Sequence, residues 1–509
     1  MESKKINHPG SWQAHSPPFG PPFGPLFGPP YSDRLPPLGL LLTLMSLLLC
    51  SLAGCPGSSS SKSKNDPLAK VGRRDLPPLK IGVLDCDEIS EVLQRRWQEY
   101  SDQQIELVKL DRQSIASGPV PALDVVLYPA NFLGSLTEKD WIAPLPTPLL
   151  ERLGGGKKGT KTNQDLNEEF TQGIESWSSR WRTIARYNAR WMALPLGAPC
   201  WVAVTRGLDI EPLKQLHQAI GSNQNSPKIA TDSFESFLTK AESSLQDSLE
   251  SRRELLTKLL QDRQTIDKRA LVERFLWIMS TSESRYRGLV DPYKVTPRLG
   301  LQEFARSANV LHRLALIEPR TMLASPVDAW EKVAEGQAVL GIGWPRTDGF
   351  QRASLGTDAK PLKMIPILFN GGNGILASIG RKTRQSATAT EFMYWINRED
   401  NRVALQAKSP RIEVLEIDND VNRIRDDYRE YQTLQRLEAA NTTLDMTPRF
   451  LNADPLIDSL GEALLDIIEK PESSQSRLEE CKAKWTELIE ATGVEYMRGS
   501  LERSSGSSN

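Results

Sequence analysis

The chain of 509 residues is poor in histidine and cysteine, with four of the first and five of the second, and its net charge at pH 7 is only −1. Each shortage excludes something. The histidines (His8, His15, His217 and His312) are scattered, and no His-Glu-x-x-His, Gly-x-Ser-x-Gly or Cys-x-x-Cys occurs, so the zinc-protease helix, the nucleophile elbow and the dithiol redox motif are all missing. The cysteines are too few and too far apart for a disulfide framework. With 63 Lys and Arg against 64 Asp and Glu there is no basic excess to neutralise phosphates, which argues against a nucleic-acid partner. Only one long uncharged apolar run is present, so the sequence does not describe a polytopic membrane protein. Catalysis by a pair of carboxylates, as in glycosidases, stays open because the acidic residues offer many pairs.

That single run, Leu38 to Ala53, would span about 24 Å as a helix at ~1.5 Å per residue. It falls short of a bilayer core of ~30 Å. Basic residues Lys4, Lys5 and Arg34 precede it, small residues close it, and the pattern is that of an export signal. Its last four residues, Leu52-Ala53-Gly54-Cys55, resemble the bacterial lipobox, which implies acylation of Cys55 and cleavage before it; an uncleaved signal anchor is the alternative. Several acyl chains on one residue would hold the protein to a membrane where one would not, at ~0.8 kcal/mol per buried CH₂. The serine run that follows then reads as a flexible tether over 55–76. Upstream, PPFGPPFGPLFGPP (17–30) is an extended tetrapeptide repeat rather than a domain. Loss of residues 1–54 removes three basic and two acidic groups from the 63 and 64, leaving 60 and 62 and a charge of about −2.

From residue 78 the pattern is α/β. LKIGVLDCD, IELVKLD and DVVLYP read as strands separated by helical spacing, which implies parallel pairing through crossover helices. Ligands in such sheets lie beyond the carboxyl ends of the strands. The candidate loops are therefore Asp85-Cys86-Asp87 and Tyr128-Pro129-Ala130-Asn131, with ordinary turn chemistry as the competing reading. GGGKKGTK (154–161) has Gly159 followed by Thr160-Lys161, the reverse of a phosphate loop, and reads as a solvated loop. Arginines interleave with Trp177, Trp181 and Trp191, which suits lobe packing better than base stacking without a basic excess. Residues 222–269 read as a surface helical excursion with mixed charge. ALVERFLWIMS, FARSANVLHRLAL and PVDAWEKVAEGQ read as core or amphipathic helices, and AVLGIGWP as a strand delivering Trp344. MIPILFNGGNGILASIG reads as a strand pair broken by glycines, followed by the helix SATATEFMYWIN capped by Ser386 or Thr388. Two further helices follow; in the second, Leu478, Cys481, Trp485 and Leu488 form one stripe, and 501–509 read as a disordered tail.

Four stretches, DVVLYPANFLGSLTEKDWIAPLP, ALPLGAPCWVAVTR, VDAWEKVAEGQAVLGIGWP and FNGGNGILASIGRKTRQSATATEFMYWI, resemble in order successive blocks of bacterial extracellular solute-binding proteins of family 1, the group that includes the maltose-binding protein. The resemblance implies an α/β fold of the periplasmic binding protein type II class, two α/β lobes with a hinge and an inter-lobe cleft. It implies lobe 1 at 77–200 and 368–447 and lobe 2 at 201–367 and 448–500, crossed at Leu194–Arg206, Ile365–Ala377 and Thr447–Phe450. The expected ligand-binding residues are Asp87, Tyr128, Asn131, Trp201, Trp344, Asn370, Gly372 and Asn373, with Trp344 against a sugar face or, alternatively, only in the core. Where relatives often place an acidic or polar side chain, this chain has Pro199-Cys200-Trp201, which leaves amino sugars, polyols and other small polar solutes open. The implied protein is a monomeric, lipid-anchored receptor on the extracytoplasmic face of a bacterial membrane, delivering its solute to an ABC importer without catalysis, cofactor or metal. A sensor for a membrane signalling protein and a carbohydrate-active enzyme are the alternatives.

Overall fold

A computed structural model of the chain describes residues 76–153, 184–197, 201–215, 227–281, 288–346, 362–367, 374–412 and 448–505. The apolar run, Cys55, the tether and GGGKKGTK lie outside the described residues. So do Trp177, Trp181, Cys200, Asn370, Gly372 and Asn373.

The first apolar strand, β1 (Leu79–Val83), is followed by helix α1 (Ser90–Ser101), which buries Val92, Leu93 and Trp97. Strand β2 (Ile105–Lys109), helix α2 (Arg112–Ser117) and strand β3 (Val125–Pro129) complete a doubly wound unit. Strand β1 pairs in parallel with β2 on one side and β3 on the other. Next come α3 (Leu133–Glu138), β4 (Ile142–Ala143), α4 (Thr147–Leu153) and the small hairpin of β5 (Arg186–Tyr187) and β6 (Arg190–Trp191).

The chain then changes sheet. Strand β7 (Leu194–Gly197) belongs to the first sheet, whereas β8 (Trp201–Arg206) founds a second. Strand β8 is buried throughout because both of its faces are covered: Trp201 and Ala203 point into one apolar cluster, Val202 and Val204 into another with Trp330 and Val333. Helices α5 (Pro227–Ser244), α6 (Leu249–Gln261), α7 (Lys268–Thr281), α8 (Gln302–Ile317) and α9 (Pro326–Ala334) surround it. Helix α9 starts where Ser325 Oγ accepts from the Asp328 amide at 3.2 Å and Pro326 occupies the first turn, which suits a residue without an amide hydrogen. Strands β9 (Leu340–Gly343) and β10 (Leu362–Ile367) flank β8, both antiparallel.

Strand β11 (Ile375–Gly380) returns to the first sheet, antiparallel to β3, β4 and β7, and completes the order β2-β1-β3-β11-β4 with β7 also on β11. Helices α10 (Ser386–Ile396) and α11 (Glu399–Gln406) follow. The chain makes its third passage between the first core, last joined at Ile412, and the second, rejoined at Phe450, and leads to α12 (Ala453–Glu469), α13 (Ser474–Thr492) and α14 (Val494–Ser505). One apolar core gathers side chains from Leu79–Leu196 and Ile375–Ile412, the other from Trp201–Ile365 and Phe450–Leu501.

Five readings of the sequence need correction. Helices α5 and α6 are no mere surface excursion, since Phe237, Leu238, Leu256 and Leu260 are buried in the second core. Strands β10 and β11, read as a pair, lie in different sheets, in line with the crossing at Ile365–Ala377 that the resemblance implies. Helix α10 begins after Gln385, with no side-chain cap. The buried stripe of α13 runs Leu478, Cys481, Trp485, Ile489, while Leu488 is exposed. Residues 501–505 are not a tail, because α14 extends through them with Leu501 buried.

Candidate functional site

Parallel strands with neighbours on both sides create a crevice at their carboxyl ends, where successive connections leave in opposite directions. In this chain that crevice lies where β1 ends in Leu84-Asp85-Cys86 and β3 ends in the 3-10 turn Ala130–Phe132. Asp85 adopts φ 50° and accepts from Arg112 Nε at 2.9 Å, while its carbonyl accepts from Arg411 at 2.6 Å. Arg411 also lies 3.6 Å from Glu88.

The residues expected at these strand ends differ in what they can do. Asp87 turns to solvent and pairs with Lys109 at 3.0 Å. Cys86 is fully buried, and burial pushes its thiol far above the usual range. The Tyr128 ring lies wholly within the first core. Its hydroxyl is 2.7 Å from Ser378 Oγ, which donates in turn to the Met192 carbonyl at 2.8 Å, so the phenol ties β3 to β11 and has no surface for a solute. Asn131 is different. It is 4% exposed, and its Oδ1 has no hydrogen-bond partner among the described residues.

Facing these ends, the second core presents the first turns of α7 and α12. Arg269 pairs with Asp454, and with Asp458 at 3.1 Å. Burial opposes its charge, but Asp454, Asp458 and Asp85 outweigh that and hold the guanidinium above its ordinary value. The Phe132 ring sits between two cations, 6.0 Å from the Arg112 guanidinium and 5.8 Å from that of Arg269. Arg112 also approaches Asp458 at 3.9 Å, so charge pairs link the two halves across the crevice.

Glu273 lies one helical turn beyond Arg269 and is 7% exposed, with Oε2 lacking any hydrogen-bond partner among the described residues. Burial, reinforced by Asp267, pushes its carboxyl up to about 8 against the pull of Arg411, Arg274 and Arg269. Its neighbour Arg274 donates to the carbonyls of Ile342, Met322 and Ala324. Burial lowers that guanidinium to about 10.

Trp201 opens β8 and Trp344 follows β9; because Val202 pairs with Gly343, the two rings meet edge to face with centroids 5.5 Å apart. Both are buried, and Trp344 Nε1 has no hydrogen-bond partner among the described residues. Strand β9 needs a glycine at 343 to pass the start of helix α9, since a Cβ there would lie 2.0 Å from the Pro326 carbonyl oxygen. The structure thus brings Trp201 and Trp344 together. It puts Asn131 near the charge-linked crevice, sends Asp87 outward and Tyr128 inward.

Sequence reasoning missed Arg112, Phe132, Arg269, Glu273 and Asp454. One signal was present: the adjacent Glu273-Arg274 inside the otherwise apolar ALVERFLWIMS, where charges are rare unless they have a task or partners. Among the described residues no cluster of three or more His, Cys, Asp or Glu side chains is placed to hold a metal ion, and no helix is long and apolar enough to cross a membrane.

No protein-family model and no curated protein matches the chain. Solved structures do. Maltose-bound MalE3 of T. maritima superposes with a TM-score of 0.51 at 12% identity, over 80% of this chain and 99% of its own. An ABC-transporter solute-binding protein from Agrobacterium radiobacter in complex with ribitol gives 0.47 at 14% identity, over 81% and 98%. One from Agrobacterium vitis with bound D-mannitol gives 0.47 at 11%, over 82% and 99%. At these identities the likeness speaks to the fold, and it is the first that carries it. The chain has the mixed α/β fold of the type II periplasmic binding proteins.

Proposed function

We propose that this protein is an extracytoplasmic receptor that closes its two lobes over a small polar, sugar-like solute, without altering it covalently, and hands it to an ABC importer. The observation that supports this best is the double crossing of the chain between two sheets, with the buried Asn131 Oδ1, which lacks a partner among the described residues, at the carboxyl end of β3. The maltose-bound neighbour has the same architecture. Hinge closure is a recurrent switching mode for such pairs of lobes, and a solute shifts the equilibrium only by its preference for the closed form. At micromolar affinity about 8 kcal/mol of binding free energy is available, part of which drives closure.

In this reading Asn131 and Trp344 contact the solute, Trp201 braces Trp344, and Asn370, Gly372 and Asn373 contribute from the return crossing. Asp87 and Tyr128 are set aside for the reasons their surroundings give. Cys55 carries the lipid anchor; mass spectrometry of the membrane-extracted protein would show acylated Cys55 as the first residue, and an intact precursor with a free thiol would remove the anchor from the proposal. A thermal-shift screen against a library of sugars, polyols and related solutes tests the receptor role, because a ligand bound only by the folded protein raises the melting midpoint by mass action. A midpoint unmoved by every solute, or release of coloured product from glycosides, would sink it.

A further inference from the structure

We propose that Arg269 and Glu273 on α7, with Asn131 on the opposite lobe, form a subsite that selects an uncharged, hydroxyl-bearing solute. The inference rests on the receptor reading above and adds both the residues and the chemistry they accept. Three buried atoms carry it: Asn131 Oδ1, Glu273 Oε2 and Arg269 Nε all lack a hydrogen-bond partner among the described residues. Asn131 and Glu273 are each more than nine-tenths buried, and the Arg269 side chain is 15% exposed. Of the twelve such atoms among the described residues, these three belong to side chains that meet at the strand ends, where Arg269 lies over Phe132 and within the fields of Asp85 and Glu273, and a partner arriving from outside would satisfy them together.

Their positions fit one another. Arg269 and Glu273 are four residues apart on a helix and so share a face. Asn131 adjoins Phe132, whose ring lies 5.8 Å from the Arg269 guanidinium. A single hydroxyl can accept from Arg269 Nε–H and donate to Glu273, while a second hydroxyl donates to Asn131 Oδ1.

The charge pattern sets the class. Arg269 is neutralised by Asp454 and Asp458, Arg112 by Asp85, and Arg411 lies against Glu88. An anionic solute therefore meets cations that already have carboxylate partners, while Arg274 beside Glu273 is turned onto three backbone carbonyls. Burial keeps the Glu273 proton in place up to about pH 8, so a cationic solute meets no carboxylate there either. What remains is a donor and two acceptor-capable oxygens, the complement of a polyhydroxyl compound.

The test is isothermal titration of the full-length protein at pH 7 with matched panels of neutral sugars and alditols, hexuronates and amino sugars. The wild type is expected to bind a neutral member most tightly. Glu273→Gln, which keeps a neutral hydrogen-bonding side chain, should hold that affinity within about threefold, whereas Glu273→Leu and Asn131→Leu should each weaken it by about tenfold or more. Should Glu273→Leu fail to fold, Asn131→Leu decides by the same criterion. Tightest binding of a charged member, or unchanged affinity in the leucine variants, overturns the subsite while leaving the receptor intact. Absence of binding throughout the three panels overturns both.

Discussion

Glu273 shows how one buried side chain ties stability to pH. Its carboxyl has an ordinary value of 4.5 in the unfolded chain and about 8 in the folded one. Below about pH 4.5 the proton is bound in both states and the contribution to stability is complete. Between the two values the unfolded chain has released its proton and the folded chain has not, so stability falls as pH rises, by up to ~1.4 kcal/mol per pH unit. Above the folded value the loss is finished. Glu273→Gln removes the titration, so its melting temperature is expected to decline less than that of the wild type between about pH 5 and pH 8. Parallel slopes for the two proteins in thermal melts across that range would show that Glu273 is ionised when folded. The sequence exposed this residue only as an oddity within an apolar run. Which atoms it lacked, and that Arg274 was already occupied by three carbonyls, depended on contacts with segments about 50 to 70 residues away.

Among the elements, the third passage and the last helix lock the two halves together. Gly134 in α3 lies under the passage so closely that a Cβ would be 2.1 Å from the Arg449 carbonyl oxygen. Gly134→Ala is expected to lose about 1–3 kcal/mol in urea unfolding, because backbone rather than a flexible side chain must move. Helix α14 closes a buried polar knot: Tyr187 donates to Glu138 at 2.5 Å, Arg503 donates to the same oxygen at 2.7 Å, and the Leu451 amide donates to Ser500 Oγ at 2.8 Å. Truncation after Thr492 strips Glu138, 9% exposed in the intact fold, of its cation and takes the buried Met497, Ser500 and Leu501 out of the core, a change that costs about 3–5 kcal/mol. Circular-dichroism melts should show a clear drop in midpoint; an unchanged midpoint would restore the tail reading for 501–505. Strands β1, β2 and β3 were legible because apolar runs of strand length alternate with helical spacing. The tail was misread because LERSSGSSN is polar in composition, whereas Leu501 is buried in the second core and Arg503, with Ser500 just before it, reaches Glu138 and Tyr187 of the opposite lobe. The pattern of MIPILFNGGNGILASIG shows two strands broken by glycines for a related reason: glycines announce a change of direction but do not name the sheet that receives the next strand.

For the whole molecule, the order of strands and helices was enough to indicate an α/β protein, the division into two lobes came from the resemblance to solute-binding proteins, and the aromatic pair Trp201 and Trp344 was visible as separate residues before β8 and β9 brought them to 5.5 Å. The crevice itself was not visible, since it is made from strand ends near residues 85 and 131 and helix starts near 269 and 454, which no local pattern connects. Charge pairs between Arg112 and Asp458 link those two sides, and a solute at the same crevice would add its preference for the form in which they meet. Small-angle X-ray scattering, with saturation verified by the thermal shift of the same sample, measures that change of shape most directly. The radius of gyration is expected to fall when the best neutral solute saturates the protein. A scattering profile identical with and without bound solute would contradict closure of two lobes over a guest.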